Sequence, residues 1–259
     1  MSEQLRLLTP ADLEDCMRLK EAAGWNQTAA DWLRLMLLEP DGVWGIEVEG
    51  TVAASGSVVR YGDRLSWVGM ILTLPEFRRR GYARTILEHL LKLPQARDVD
   101  WVKLDGTDQG QPLYEQLGFQ VEAAIERWQR SGTTPPAETL AAPALDSSPG
   151  MALDRKAFGA DRRSLLSRLK GEGVCRALPS GGFAMARPGS RAAFLGPCVA
   201  ESPQEAERLI LWMLEALREQ PVYWDLLPGN GNAAAWARQF GFEPVRRLVR
   251  MGPSDGRRR

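Results

Sequence analysis

Residues 68–91, VGMILTLPEFRRRGYARTILEHLL, decide the expected fold of the first half of this chain. An apolar run that suits a buried strand leads through Pro75 into an arginine-rich turn, and an amphipathic helix follows from Tyr82. The first N–H groups of a helix have no partner within the helix, and the helix dipole places partial positive charge there. This order of strand, turn and helix therefore predicts an anion-binding site that suits a pyrophosphate.

Positive side chains surround the same turn. Gly81 has no side chain, so a ligand can approach the backbone closely at this residue. The charges come from four arginines on its two sides: Arg78, Arg79, Arg80 and Arg84. A short basic run is also common on solvated surfaces, so the charge alone leaves that second interpretation open.

Strand and helix patterns alternate on both sides of segment 131–150, whose Pro, Ala, Ser and Thr are typical of a linker. Before it, the patterns predict strands at 5–8, 43–49, 52–61, 65–73, 101–104 and 120–129, and helices at 11–22, 28–38, 82–93 and 111–117. After it, they predict a helix at 161–170, strands at 173–177, 182–187 and 192–198, and then helix, strand, helix and strand as far as Met251. This mixture predicts an α/β or α+β domain on each side of the linker.

Two short motifs in the first half resemble a known family. Arg78, Gly81 and Ala83 form R-x-x-G-x-A, which resembles the acyl-CoA-binding signature of the GNAT acetyltransferase superfamily. Tyr114 begins Y-x-x-x-G-F, which resembles a second element of that family and lies 33 residues after Gly81. The element order from residue 5 to residue 129 also agrees with the GNAT fold. The resemblance implies a mixed, largely antiparallel sheet flanked by helices, with acetyl-CoA as the acyl donor.

The resemblance also implies which residues hold the cofactor. The strand would pair its backbone with the pantetheine arm, and main-chain N–H groups of the turn would surround the pyrophosphate. Many family members carry an asparagine that holds the pantetheine seven positions before the tyrosine, and this chain has a threonine there. The cofactor-binding residues implied in this way are Ile71, Leu72, Thr73, Arg78, Arg79, Arg80, Gly81, Tyr82, Ala83, Arg84 and Thr107. No metal ligand is expected.

Tyr114 is implied as the general acid. Attack of an amine on a thioester expels a thiolate, whose thiol has an ordinary pKa of ~8.5. A nearby phenol can protonate that thiolate as it leaves. The simpler alternative is that Tyr114 is a core aromatic on a short helix.

The general base is left open. A water chain could serve, and His89 is expected on the polar surface of its helix rather than as a base. Four glutamates on predicted strands are the other candidates: Glu47, Glu49, Glu122 and Glu126.

The second half repeats the first with one gap. The matching positions are, in pairs, Gly69 and Gly196, Ala83 and Ala206, and Gly118 and Gly241. From the alanine to the second glycine both halves count 35 positions, whereas from the first glycine to the alanine they count 14 and 10. The difference falls in the phosphate turn, so we interpret the second half as an internal repeat.

The second copy lacks the chemistry of the first. Ser202-Pro203-Gln204-Glu205 is a capping box, in which the side chains satisfy the N–H groups that a pyrophosphate needs. Ala237 stands at the place of Tyr114. This half looks like the C-terminal domain of tandem GNAT proteins. The expected domains are therefore a catalytic GNAT domain at 1–130, a linker at 131–150, and a degenerate GNAT-like domain without a CoA site at 151–255.

These observations predict an N-acetyltransferase that moves an acetyl group from acetyl-CoA to a primary amine by direct attack in a ternary complex. A different class stays open: a non-catalytic acyl-CoA-binding or sensing protein that keeps the turn without a productive amine site. The presence of Tyr114 argues against it, because a pure binder needs no proton donor. The acceptor, a small-molecule amine or a protein N-terminus, is not specified by the sequence, and neither is the length of the acyl group.

Composition limits the partners and the compartment. Lys plus Arg equals Asp plus Glu at 33 each, so no net field attracts nucleic acid or an anionic membrane. Three widely spaced cysteines suit reduced thiols better than a disulfide framework. With no signal-peptide pattern and no stretch of ~18 apolar residues, the expected compartment is the cytoplasm. The oligomeric state stays open.

Overall fold

A computed structural model describes residues 2–132 and 150–253, and it confirms the predicted mixed α/β class. The chain divides into two compact units. The first comprises Met1–Glu122 and Val249–Arg259, and the second comprises Ala123–Leu248. The expected linker at 131–150 falls almost entirely outside the described residues. No helix within the described ranges is long and apolar enough to cross a bilayer.

The first unit is a sheet with strand order β1-β2-β3-β4-β5-β11. Its neighbouring strands run antiparallel, except β4 and β5, which are parallel. Its strands are β1 (Glu3–Leu7), β2 (Val43–Val48), β3 (Thr51–Tyr61), β4 (Leu65–Thr73), β5 (Trp101–Gly106), the start of β6 (Phe119–Arg130) and the end of β11 (Glu243–Pro253). Its helices are α1 (Leu13–Ala22), α2 (Ala29–Leu38), α3 (Tyr82–Leu90), α4 (Pro94–Arg97) and α5 (Gln111–Gln116).

Helices cover both faces of this sheet because its central strands are apolar on both sides. Every residue of β3 from Val52 to Val59 is buried, as expected of a strand that is covered on two faces. One core contains Val68 of β4 together with Ile86 and Leu90 of α3. The other contains Met70 of β4 together with side chains of α1 and α2.

The second unit has the strand order β6-β10-β9-β8-β7, with β9 and β10 parallel and the other neighbours antiparallel. Its own strands are β7 (Val174–Ala177), β8 (Phe183–Arg187), β9 (Ala193–Val199) and β10 (Val222–Leu226). Its helices are α6 (Met151–Phe158), α7 (Arg163–Glu172), α8 (Pro203–Ala216) and α9 (Gly231–Gln239). Within this unit the sequence patterns predicted each strand but missed α6. Leu209, Ile210 and Met213 on one face of α8 are buried in its core.

The boundaries of the two compact units differ from the expected domain boundaries at two strands. β6 belongs to the first unit as far as Glu122 and to the second from Ala123, whereas we expected residues 1–130 to form one domain. β11 belongs to the second unit as far as Leu248 and to the first from Val249, although we expected residues 151–255 to stay together. The physical reason is backbone pairing, since Val249, Arg250 and Met251 pair with the end of β5.

The repeat is present in the fold, but the single-gap alignment is wrong for one strand pair. Trp67 of β4 pairs with Lys103 of β5, and Phe194 of β9 pairs with Tyr223 of β10. Because Val68 corresponds to Leu195, Lys103 corresponds to Tyr223. The alignment had instead placed Lys103 with Leu226. Two differences in length hide this shift in the sequence, because they cancel. The connection from α8 to β10 is shorter than that from α3 to β5, and α9 is longer than α5.

Candidate active site

The two parallel strands of the first unit separate at their carboxyl ends. Their paired residues run from Leu65 with Trp101 to Val68 with Leu104, while β4 continues to Thr73 and β5 to Gly106. Backbone groups of Ile71, Leu72 and Thr73 therefore lie on a part of β4 that has left β5. This opening at the carboxyl end of a parallel pair is where α/β sheets bind ligands.

A β-bulge marks the start of the opening. Ser57 pairs with Gly69 and Ser55 pairs with Leu72, so β4 contains one more residue than β3 between these two pairs. Met70 at the bulge has a φ of 52°, and its carbonyl accepts a hydrogen bond of 2.9 Å from the Ser55 hydroxyl. Bulges of this kind re-aim a strand and are frequent beside active sites. Here the bulge places Met70 in the core beneath α1 and α2, whereas Val68 faces α3.

The N-terminus of α3 is open. Gly81 is its N-cap with a φ of 87°, and no side chain within the described residues caps the helix. A Cβ atom added at Gly81 would meet no atom within 4 Å. Arg79 also has a positive φ, of 60°, so two residues of the turn before the helix, Arg79 and Gly81, have left-handed backbone conformations. Such a turn directs successive N–H groups into one concave surface, which suits an anion.

The four arginines have different surroundings. Arg78 donates from Nε to the Thr73 carbonyl at 3.3 Å, and the Arg80 guanidinium lies 5.2 Å from the centroid of the Phe77 ring. Both side chains and that of Arg79 are exposed beside the turn. Arg84 extends along the helix instead, where it lies 3.8 Å from Glu88 and donates to Gln116 Oε1. Because Gln116 lies on α5, this contact brings the turn and the helix of Tyr114 together.

The corresponding helix of the second unit, α8, is closed. Ser202 Oγ accepts a hydrogen bond of 3.2 Å from the Glu205 amide. Glu205 Oε2 in turn accepts one of 3.2 Å from the Glu201 amide, one residue earlier than a regular capping box would place it. Side chains thus occupy positions at α8 that stay open at α3.

Tyr114 is buried between two glycines. A Cβ atom at Gly106 would lie 3.1 Å from its ring, and one at Gly110 would lie 3.0 Å from its hydroxyl oxygen. The side chain is 7% exposed, and burial raises the pKa of Tyr114 to about 12. Since Gly106 ends β5, the phenol lies beside the point where β4 and β5 have separated. In the second unit the matching Ala237 is buried in the core.

Thr107 begins the turn into α5. Its hydroxyl accepts a hydrogen bond of 3.3 Å from the Gly110 amide, and its carbonyl accepts one of 2.9 Å from the same amide. The hydroxyl retains its own proton for donation. A local turn bond therefore holds Thr107 at the end of β5.

The four glutamates lie in different places. Glu47 on β2 accepts from Arg6 Nε at 2.7 Å, and Glu49 lies in the turn after β2. Glu126 belongs to the second unit and accepts from Trp128 Nε1 at 3.1 Å. Glu122 is the member of this group that contacts β5, through an ion pair of 2.5 Å with Lys103.

His89 differs from its expected surface position. Its ring centroid lies 4.0 Å from that of Trp44, and the side chain is half-buried. Burial lowers the pKa of His89, which favours the neutral imidazole. Its place near the end of α3, remote from the turn at the helix start, separates it from the opening beside Tyr114.

Sequence reasoning missed a charged group on the opposite face of the sheet. Val68 and Leu104 face α3, so their neighbours Trp67 and Asp105 face the other way. Arg250 on β11 forms a two-pronged ion pair with Asp105, at 3.0 Å and 3.2 Å. The guanidinium also lies 4.8 Å from the Trp67 ring centroid. A sequence signal existed, because Arg250 follows Phe242 at the same spacing as Arg127 follows Phe119.

Comparison with known proteins agrees with this architecture. A GNAT acetyltransferase family model matches residues 8–119, and a GNAT acetyltransferase domain model matches residues 151–258. The uncharacterized N-acetyltransferase YitH of Bacillus subtilis (strain 168) is 25% identical over 172 residues, which are 64% of this chain and 60% of that relative. The match therefore spans less than two thirds of the relative's length.

Solved structures share the fold at low identity. A crystal structure from Pyrococcus horikoshii, assigned only provisionally as an acetyltransferase, has a TM-score of 0.85 at 23% identity and covers 96% of this chain and 88% of its own. A tandem GNAT protein from the clavulanic acid biosynthesis pathway has a TM-score of 0.68 at 17% identity, with 97% and 98% covered. With one GNAT model matched in each half, and with an open helix N-terminus beside separated parallel strands in the first, the chain belongs to the GNAT acetyltransferase superfamily as a tandem protein.

Proposed function

We propose that the first unit transfers an acetyl group from acetyl-CoA to a primary amine. The observation that carries this proposal is that the helix with the uncapped N-terminus, α3, contacts the helix that holds the buried phenol of Tyr114, through Arg84 and Gln116. An open helix N-terminus suits a CoA pyrophosphate, and a phenol supplies the proton donor that a pure binding protein does not need. The acceptor is a small-molecule amine or a protein N-terminus.

In this proposal the cofactor lies along the opening. Its pyrophosphate accepts hydrogen bonds from main-chain N–H groups of residues 79–84, while Arg78, Arg79 and Arg80 supply positive charge at the exposed side. Its pantetheine arm pairs with the backbone of Ile71, Leu72 and Thr73 at the edge of β4 that faces away from β3. Thr107 donates its hydroxyl proton to the arm from the end of β5.

The chemical step is direct attack. The neutral amine nitrogen forms a bond to the thioester carbonyl carbon, and the carbon–sulfur bond then breaks with its electron pair going to sulfur. The nitrogen loses a proton to water or to a carboxylate, and the sulfur gains one. Since an ordinary thiol has a pKa of ~8.5, full proton transfer from a phenol whose pKa is about 12 stays unfavourable even after the carbon–sulfur bond has broken. Tyr114 therefore donates a hydrogen bond to the departing sulfur, and the proton released by the amine replaces any that the phenol passes to the thiolate, so the phenol is neutral again at the end of the step.

The second unit, in the same proposal, is a degenerate copy that binds no CoA. Two substitutions at the matching places support this: Ser202 caps α8, and Ala237 replaces the phenol. Glu205 adds negative charge where a phosphate would lie.

The amine approaches from the face of the sheet opposite α3. Because the cofactor turn lies on the side of α3, an acceptor that comes from the other face meets the thioester between the separated strands. Two carboxylates on that face lie near the end of β5, Asp105 and Glu122, and each is paired with a cation. The proton of the attacking amine leaves through these groups or through water.

Calorimetric titration with CoA and acetyl-CoA tests the proposal. The variant Gly81→Asn is expected to weaken binding at least tenfold, because asparagine tolerates a positive φ but fills the open space at the turn. Gly159→Asn is the matched control, since Gly159 has a φ of 88° with equal open space in the second unit. No measurable heat with the unmodified protein would overturn the proposal, and so would equal affinities for both variants.

A panel of amines separates an enzyme from a binding protein. With bound acetyl-CoA, release of free thiol that depends on the amine is expected for an acetyltransferase. Tight binding without turnover across alkylamines, aminoglycosides and peptides with free N-termini would instead indicate an acyl-CoA sensor.

A further inference from the structure

The ion pair of Arg250 and Asp105 joins residues that are 145 positions apart in the chain. Asp105 lies one residue before the end of β5, and Arg250 is its direct neighbour on β11. Both side chains are about one-third exposed, at 30% and 31%, so the pair lies at the border of the sheet face rather than in the core. The contact fixes the last residues of β5 to β11.

The second unit contains the same arrangement. Asp225 on β10 is the direct neighbour of Arg127 on β6, and two hydrogen bonds of 2.7 Å join them. The Arg127 guanidinium lies 5.3 Å from the ring centroid of Phe194, the residue that corresponds to Trp67. An arginine that forms two hydrogen bonds with an aspartate beside an aromatic ring is therefore part of the repeated architecture. We call each such ion pair, Arg250 with Asp105 and Arg127 with Asp225, a fork.

The two forks differ in the residues that pack next to them. In the first unit the residue after Asp105 is Gly106, against which the Tyr114 ring packs. The residue after Arg250 is Met251, which is fully buried in the same core as Tyr114, and a Cβ atom at Gly106 would lie 3.5 Å from its sulfur. In the second unit the matching helix carries Ala237 and no phenol.

We propose that Arg250 is a positioning residue for Tyr114. By holding Asp105 it fixes the end of β5, and with it Gly106, while the same strand places Met251 beside Gly106 in the core that contains Tyr114. The second half of the chain thus supplies the catalytic unit with a strand that aligns its phenol, although it binds no cofactor of its own. This inference rests on the proposed function.

Matched substitutions in the two forks test it. Arg250→Gln removes the fork in the first unit, Arg250→Lys keeps the charge but allows a single contact, and Arg127→Gln and Arg127→Lys do the same in the second unit. The expected result is a fall in kcat of at least ~10-fold for Arg250→Gln, because small misplacements of a reacting group lower rates steeply. A smaller fall is expected for Arg250→Lys. The affinity for CoA is expected to fall by a clearly smaller factor than kcat, because Thr107 is one of several cofactor contacts, and the Arg127 variants are expected to keep kcat within twofold.

Hydrogen–deuterium exchange gives a second measurement that does not need activity. Arg250→Gln is expected to speed amide exchange in residues 104–117, which run from the end of β5 through α5. Arg127→Gln is expected to speed exchange in residues 223–239 and to leave 104–117 unchanged. If Arg250→Gln does not fold, Arg250→Lys and Met251→Ala take its place, with Met251→Leu as the control that retains the packing.

The outcomes separate the two proposals. If the unmodified protein transfers acetyl to no amine, the proposed function fails, and the exchange pattern alone decides whether Arg250 orders the Tyr114 segment. If kcat falls in both the Arg250 and the Arg127 variants, and in proportion to the decrease in Tm of each variant, the two ion pairs are purely structural and the inference is overturned. Unchanged exchange in 104–117, or loss of CoA affinity as the main effect of Arg250→Gln, would also overturn it.

Discussion

Tyr114 fits into its core because two neighbouring residues are glycines. Gly106 and Gly110 leave the space that the ring fills, and a side chain at either position would collide with it. A phenol enclosed in this way loses contact with water, which disfavours its anion and raises its pKa. The hydroxyl is therefore a proton and hydrogen-bond donor throughout the neutral pH range.

Tyr114→Phe is expected to lower kcat by ~10²-fold or more while leaving the affinity for CoA nearly unchanged, because general acid–base groups contribute ~10²–10⁴-fold. The ring still fills its pocket, so the effect is confined to the hydroxyl. Steady-state kinetics together with calorimetry measure the two quantities. Tyr223→Phe in the second unit is the matched control and is expected to be neutral; a parallel fall in kcat and affinity for Tyr114→Phe would contradict the acid role.

The raised pKa of Tyr114 also predicts a limit on alkaline stability. Because the folded pKa of about 12 exceeds the ordinary value of 10, the stability linked to the protonated phenol is complete below pH 10 and is lost as pH rises toward 12. Chemical denaturation across this interval is expected to show a steeper decline for the unmodified protein than for Tyr114→Phe. Identical slopes would show that Tyr114 titrates normally in the folded state.

At the scale of elements, the two halves differ most at one helix terminus. α3 begins at a glycine with left-handed backbone and stays open, whereas Ser202 caps α8. This contrast was predictable, because N-terminal capping depends on residues within one helical turn of each other. The same locality explains why the strand–turn–helix of residues 68–91 was recognised, although α3 ends at Leu90 rather than at residue 93.

Ser202→Ala is expected to destabilise the second unit by about 1 kcal/mol, the usual effect of removing an N-terminal cap. CoA affinity is expected to stay unchanged, because the open site is at α3. Denaturant unfolding and calorimetry measure the two effects. Ser180→Ala, outside any helix terminus, is the control; a loss of CoA affinity in Ser202→Ala would place a cofactor site in the second unit.

Contacts between distant parts of the chain were beyond the sequence patterns. The position of His89 against Trp44 depends on how α3 lies on β2, and no local periodicity specifies it. The fork of Asp105 and Arg250 was hidden for a further reason. The single-gap alignment set Asp105 opposite Pro228, whereas strand pairing makes Asp225 its counterpart.

At the scale of the whole molecule, each unit contains a strand segment from the other half of the sequence. Residues 123–130 complete the second sheet and residues 249–253 complete the first. The composition of residues 131–150 correctly suggested two units, but composition cannot tell which sheet a strand joins. Strand pairing decided that.

A chain that ends at Leu248 is expected to lose most of the stability of its first unit. Removing a buried methionine side chain alone costs ~2–5 kcal/mol, and Met251 is fully buried. The exposed edge of β5 would in addition favour aggregation. A chain that ends at Pro253 keeps the whole strand and is the control; thermal unfolding and light scattering compare the two, and equal Tm values would contradict the expectation.

The late position of residues 249–253 has a consequence for biosynthesis. When the first 130 residues have been synthesised, the first unit still lacks the strand that pairs with one edge of β5, and that strand is encoded more than a hundred codons downstream. If the first unit acts as proposed above, acetyl transfer is expected only once residues 249–253 have been added, because a shorter chain carries the turn before α3 without the strand that pairs with β5.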